Sequence, residues 1–144
     1  MQISDILAKK PQAETITVQP GASLSDAASL LSEKRIGAVV VSNSGSDAVG
    51  ILSERDIVRE LGKRGPACLS DKVSDVMTAD IVTTTPTATA QSVLQVMTDK
   101  RFRHMPVMEG GAMVGLVSIG DIVSARLSEI AHENEAMQDM IMGR

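Results

Sequence analysis

Ser53 and Asp56 stand three residues apart, and Ser118 and Asp121 repeat the spacing. Both pairs close the same pattern: Gly, two aliphatics, Ser, two variable residues, Asp. The copies read Gly50-Ile51-Leu52-Ser53-Glu54-Arg55-Asp56 and Gly115-Leu116-Val117-Ser118-Ile119-Gly120-Asp121. An ionised carboxylate has two acceptor oxygens, so it can take both hydroxyls of a vicinal diol. At a helix start the pair would also sit beside free N–H groups and positive partial charge, which suit a phosphate. The structural alternative is plain. Ser-x-x-Asp is close to an N-terminal capping box, normally written with Glu or Gln at its fourth position. An acid in the first turn also favours the helix dipole. On motif chemistry alone, capping is the simpler reading.

No other constellation points to catalysis. Cys68 has no histidine near it in sequence, His104 and His132 lack a metal-ligand spacing such as His-Glu-x-x-His, and no Walker-type glycine-rich loop is present. A single cysteine excludes an intramolecular disulfide and a multi-cysteine metal site, and it suits a reducing compartment. The nine methionines read as core filler.

Composition narrows the partners. The chain is 43% apolar and 22% charged, with a net charge of −4, one Phe and no Tyr or Trp. Single-stranded nucleic acid is usually held by aromatic platforms in a basic groove, so no nucleic acid partner is expected. The first residues lack a basic segment followed by an apolar one, and the apolar runs are too short to cross a bilayer. A soluble, cytoplasmic protein without a membrane partner is expected.

The motifs need frames to hold them, and the chain supplies two. With Pro20 set against Pro86, Ser23 meets Thr89, Ala27 meets Val93, Leu31 meets Met97 and Lys34-Arg35 meets Lys100-Arg101. Such near-full-length self-similarity marks a duplication. Each copy opens with a helical turn, at 3–8 and 73–78. A short extended segment follows, at 15–18 and 81–85, ended by the proline. Next comes a helix whose apolar residues recur at i, i+3, i+4 and i+7, with Ser23 or Thr89 as its cap. Two strands follow, at 37–41 and 48–52 in copy one and at 104–108 and 113–117 in copy two. A helix then starts at Ser53 or Ser118, the first ended by Gly62 and Gly65-Pro66. One β-α-β-β-α unit buries a single sheet face, and two packed together bury both. The expected fold is α/β (α+β), with two such repeats related by a pseudo-twofold axis. Repeat one spans 1–65 and repeat two 66–126, and 62–71 crosses between them.

A helical extension, 127–144, remains. After Gly120 there is no Gly or Pro until Gly143. Val123, Leu127, Ile130, Asn134, Met137 and Ile141 alternate spacings of four and three residues. That is a heptad seam with one polar position. Two readings stand: an amphipathic helix lying back on its own domain, or a contact with a twin in a homodimer, with Asn134 setting register.

The duplicated Gly-h-h-Ser-x-x-Asp, the segment Arg101-Phe102-Arg103-His104-Met105-Pro106-Val107 and their spacing resemble the CBS-domain family. Two copies in tandem resemble a Bateman module, most closely a stand-alone bacterial CBS pair. The resemblance covers residues 1 to 126. It implies a non-catalytic regulatory module that binds adenosine-containing ligands (AMP, ADP, ATP, S-adenosylmethionine or NAD(H)) in clefts between the repeats. It assigns Asp56 and Asp121 to ribose, and Ser53 and Ser118 to ribose or phosphate. Thr17, Val18, Thr83 and Thr84 would contact adenine, as would Ala38, Val39, His104, Met105 and Pro106. Arg103 and His104 would reach phosphate. Gly37 and Ala38 stand where copy two has Arg103 and His104, so the cleft of copy one is expected to bind more weakly or differently. Arg35, Arg55 and Arg101 either compensate or are solvated charges. The partners implied are a nucleotide, a second copy of the chain, and a regulated enzyme or transporter. The competing expectation is an interaction module that docks a partner without sensing a ligand.

Overall fold

Backbone bonds tie the opening turn of each repeat to the other repeat. The computed structural model describes residues 1–10 and 15–143; residues 11–14 and Arg144, the end of the expected extension, lie outside the described residues. Helix α1 (Ile3–Ala8) docks through the Ile3 N–H to the Ala88 carbonyl and the Ser4 N–H to the Pro86 carbonyl, both 2.9 Å. Helix α4 (Val73–Val76) does the same in repeat one, from Val73 to Ala22 at 2.8 Å and from Ser74 to Pro20 at 3.0 Å. The side chains follow the backbone. Ile3 and Ile6 join the core of Val93, Met97, Met105, Val107, Val117 and Ile122. Val73 and Cys68 join that of Leu24, Leu31, Val39, Val41, Leu52 and Ile57. The repeats thus exchange their leading helices.

Between these turns the elements follow the duplicated pattern. Strand β1 (Thr17–Val18) runs parallel to β2 (Ala38–Val41), which pairs antiparallel with β3 (Gly50–Ser53). In repeat two, β4 (His104–Glu109) pairs antiparallel with β5 (Ala112–Ser118). The expected extended segment 81–85 contracts to one parallel bridge, Thr84 to Val107. Helices α2 (Leu24–Lys34) and α5 (Ala90–Lys100) are capped by Ser23 and Thr89, each accepting the N–H three residues on. Leu24, Ala27 and Leu31, and then Ala90, Val93 and Met97, are their buried faces, as the spacing required.

The motif glycines have a steric cause. A Cβ at Gly50 would lie 2.5 Å from Met77 Sδ and 3.0 Å from the Thr78 carbonyl oxygen. One at Gly115 would lie 2.7 Å from Leu7 Cδ2. Met77 follows α4 and Leu7 lies in α1, so each glycine makes room for the exchanged segment.

Helix α3 (Glu54–Arg64) runs through Gly62 and stops at Gly65, whose φ is +71°. Gly62 therefore does not end it; Gly65 can, because only glycine takes that φ without penalty. A 3₁₀ turn (Gly65–Ser70) then carries buried Cys68 across. Helix α6 (Ile119–Ile141) extends past the body, and Val123, Leu127, Ile130, Met137 and Ile141 are exposed along it. No helix among the described residues is long and apolar enough to cross a membrane.

Candidate ligand clefts between the repeats

The two Ser-x-x-Asp motifs form capping boxes with matching geometry. Ser53 Oγ accepts the Asp56 N–H at 3.2 Å, and Asp56 Oδ2 accepts the Ser53 N–H at 3.0 Å. Ser118 and Asp121 repeat this at 3.1 and 2.9 Å. Capping and a ligand role are compatible. Each serine hydroxyl still has its hydrogen to donate, and a carboxylate has about four lone-pair sites. Asp56 Oδ1 accepts from Arg59 at 2.7 Å. Asp121 Oδ2 also accepts from Lys10 Nζ at 2.9 Å, while Oδ1 has no hydrogen-bond partner among the described residues.

The helix starts offer fewer amides than expected. The Glu54 N–H donates to the Gly37 carbonyl at 2.9 Å, and the Ile119 N–H to the Arg103 carbonyl at 2.8 Å. With the third amide on its serine, the second remains in each helix, that of Arg55 and of Gly120.

Each acid opens on a cleft between the repeats. The Asp56 cleft, about 470 Å³, is walled on the far side by Arg101, Phe102, Arg103 and His104. The Asp121 cleft, about 630 Å³, is walled by Arg35, Ile36, Gly37 and Ala38, with Leu7 from α1 and Lys10 just after it. Both volumes fall within the roughly 300–1,000 Å³ of small-molecule sites. Gly37, His104 and Ser118 line both clefts. The expected weakness of copy one at its basic positions is therefore redistributed. Arg103 faces Asp56, so the basic segment of repeat two serves the acid of repeat one, because each motif looks across at the other repeat.

Of the residues picked out from sequence, Ser53, Arg55, Asp56, Arg103, His104 and Ser118 line the Asp56 cleft. Ala38, His104, Ser118 and Asp121 line the other. Ladder register puts Ala38 opposite Ser53 and His104 opposite Ser118. Thr17, Val18, Val39, Thr83, Thr84, Met105 and Pro106 line neither cleft. Val39 and Met105 point the other way across the pleat into the cores, Pro106 is buried, and Thr17 and Val18 pair with Val40 and Val41. Thr84 is held to β4 by bonds to Pro106 and Met108, both 2.9 Å, and Thr83 is exposed. The walls are made instead by earlier residues, Thr15 and Ile16 in one cleft and Thr78 and Ile81 in the other. Lys10, Arg59 and Phe102 were not picked out. Arg59 was legible as an i+3 partner of Asp56, whereas Lys10 carries no local signal.

Burial is the main cause holding His104 below its ordinary pKa; Lys10 and Arg103 push the same way, and Asp121 and Asp56 oppose. For Asp121, burial pushes the carboxyl up, but the Ser118 N–H and Lys10 outweigh it and hold it below the usual range. Among the described residues, no group of His, Cys, Asp and Glu is placed to hold a metal ion.

Comparison with known proteins agrees with this geometry. The chain is 37% identical over 122 residues to the mitochondrial CBS domain-containing protein CBSX3 of Arabidopsis thaliana, covering 82% of this chain and 59% of that protein's length. It superposes on the crystal structure of a CBS-domain protein from Agrobacterium tumefaciens with a TM-score of 0.81 at 39% identity, covering 88% of this chain and 99% of that one. A CBS domain protein of Pyrobaculum aerophilum complexed with AMP shares the fold at 22% identity, with a TM-score of 0.73 and coverage of 84% and 89%. The family described as CBS domain matches twice, over residues 3–63 and 73–128. Each matched stretch contributes one capping box and the wall that faces the other, so the chain belongs to the CBS-domain family as a tandem pair.

Proposed function

We propose that the chain is a non-catalytic regulatory module whose two clefts bind adenosine-containing ligands: AMP, ADP, ATP or NAD(H). The carrying observation is that each motif carboxylate opens onto a cleft walled by the opposite repeat. A ligand there touches both repeats, so its differential affinity for two arrangements of them shifts their balance. Asp56 and Asp121 would take the ribose diol, and Ser53 and Ser118 would donate to ribose or phosphate. Aliphatic walls, Ile36 and Leu116 on one side and Ile51 and Ile81 on the other, suit a flat base without aromatic stacking. The AMP bound by a protein of this fold supports the same ligand class. The regulated partner would be an enzyme or transporter. Isothermal titration with adenosine, AMP, ATP and NADH tests the reading. Micromolar to millimolar binding lost in Asp56→Ala and Asp121→Ala is expected, and no heat with any of the four at millimolar concentration overturns it.

The exposed seam of α6 favours a second reading, in which the module acts as a homodimeric dock for a partner without sensing a ligand. Partner binding would then survive both alanine substitutions unchanged.

A further inference from the structure

Arg35 and Arg101 are the only non-glycine residues with positive φ among the described residues, at 55° and 59°. They occupy equivalent places, directly after α2 and α5. Glycine is the common residue there, because a side chain is disfavoured in the left-handed region. Backbone strain of this kind gathers at functional sites, and each arginine lines one cleft, Arg35 with Asp121 and Arg101 with Asp56.

Their surroundings differ. In the Asp56 cleft, Arg101 is joined by Arg55 and Arg103. None of the three has an ion-pair partner among the described residues, and Arg59 is the one bound to Asp56. In the Asp121 cleft the cations are Arg35 and Lys10, and Lys10 is committed to Asp121 and the Leu116 carbonyl. One cleft thus offers three uncommitted guanidiniums and the other offers one. Guanidiniums take phosphate oxygens in bidentate pairs, so this difference scales with the number of phosphates.

We propose that the two clefts sort adenosine ligands by phosphate charge. The Asp56 cleft takes a di- or triphosphate on Arg55, Arg101 and Arg103, and the Asp121 cleft takes a ligand with one phosphate or none beside Arg35. This rests on the adenosine reading above. Its test uses the left-handed backbone, since Arg101→Gly and Arg35→Gly remove a guanidinium at positions that suit glycine. Binding of adenosine, AMP and ATP is measured by titration at two salt concentrations, with thermal unfolding as the folding control. The wild type is expected to bind ATP at least tenfold tighter than adenosine, with the margin shrinking at high salt. Arg101→Gly should weaken ATP at least tenfold more than adenosine without lowering the melting temperature. Arg35→Gly should weaken AMP and leave ATP within twofold. If adenosine binds but ATP binds no tighter, or Arg101→Gly leaves ATP within twofold, sorting is overturned while the adenosine reading stands. If none of the three ligands binds, the adenosine reading fails and sorting falls with it.

Discussion

Lys10 Nζ donates to Asp121 Oδ2 at 2.9 Å and to the Leu116 carbonyl at 2.8 Å, so the residue two past the end of α1 reaches over the acid of the second motif. Asp121 is held below the usual carboxylate range. A carboxyl with a depressed folded pKa adds stability above its unfolded value, about 3.9, and that stability is lost as pH falls through the folded value. The two side chains are 32% and 26% exposed, which keeps the pair modest. Lys10→Met should cost about 0.5–1 kcal/mol at pH 7, and less at pH 3. Urea unfolding at both pH values checks this, and an equal loss at each would remove the ion pair as the cause.

Gly50→Ala and Gly115→Ala should each destabilise by about 1–3 kcal/mol, the range for overpacking. Their rescues should differ. The obstacle at Gly115 is the Leu7 side chain alone, so Leu7→Ala should recover most of the loss. At Gly50 the Thr78 carbonyl also stands 3.0 Å away, and backbone does not retract, so Met77→Ala should recover only part. Double-mutant cycles measure the two couplings.

His104 sets a pH dependence. Its folded pKa is lowered, chiefly by burial. The neutral ring is favoured in the fold, so its contribution is complete above the unfolded pKa of about 6.5. It is lost as pH falls from there through the folded value, because the unfolded chain binds the proton more readily. Melting temperature should fall between pH 7.5 and 5, and His104→Gln should fall less over that range. Identical slopes would show that another group carries the change.

The α6 stripe should hold two copies together. Leu127 is 63% exposed and Ile130 44%, and both lie on the heptad seam with Asn134 at its polar position. Leu127→Glu with Ile130→Glu should convert a dimer to a monomer in analytical ultracentrifugation and leave the body's melting temperature within a few degrees. A wild type that sediments as a monomer at all concentrations would count against the pairing.

The sequence alone determined the local and the periodic features. Helical stripes, hairpins and capping boxes are set by residues close together in the chain, and the duplication by one nearly constant offset, so spacing makes them readable. The tertiary structure decided which surface covers which. The exchange of α1 and α4 joins residues from 51 to 85 positions apart, Ala22 with Val73 and Ile3 with Ala88, and an apolar face does not name its partner. For the same reason the cause of the motif glycines lies outside their local sequence: Gly50 makes room for Met77 and Gly115 for Leu7. Cleft membership followed suit: Arg103 faces Asp56 because each repeat supplies the other's wall. The left-handed backbone of Arg35 and Arg101 was hidden because a Lys-Arg pair ending a helix reads only as favourable charge, and the chain reversal that demands φ above zero arises from the strands that follow it.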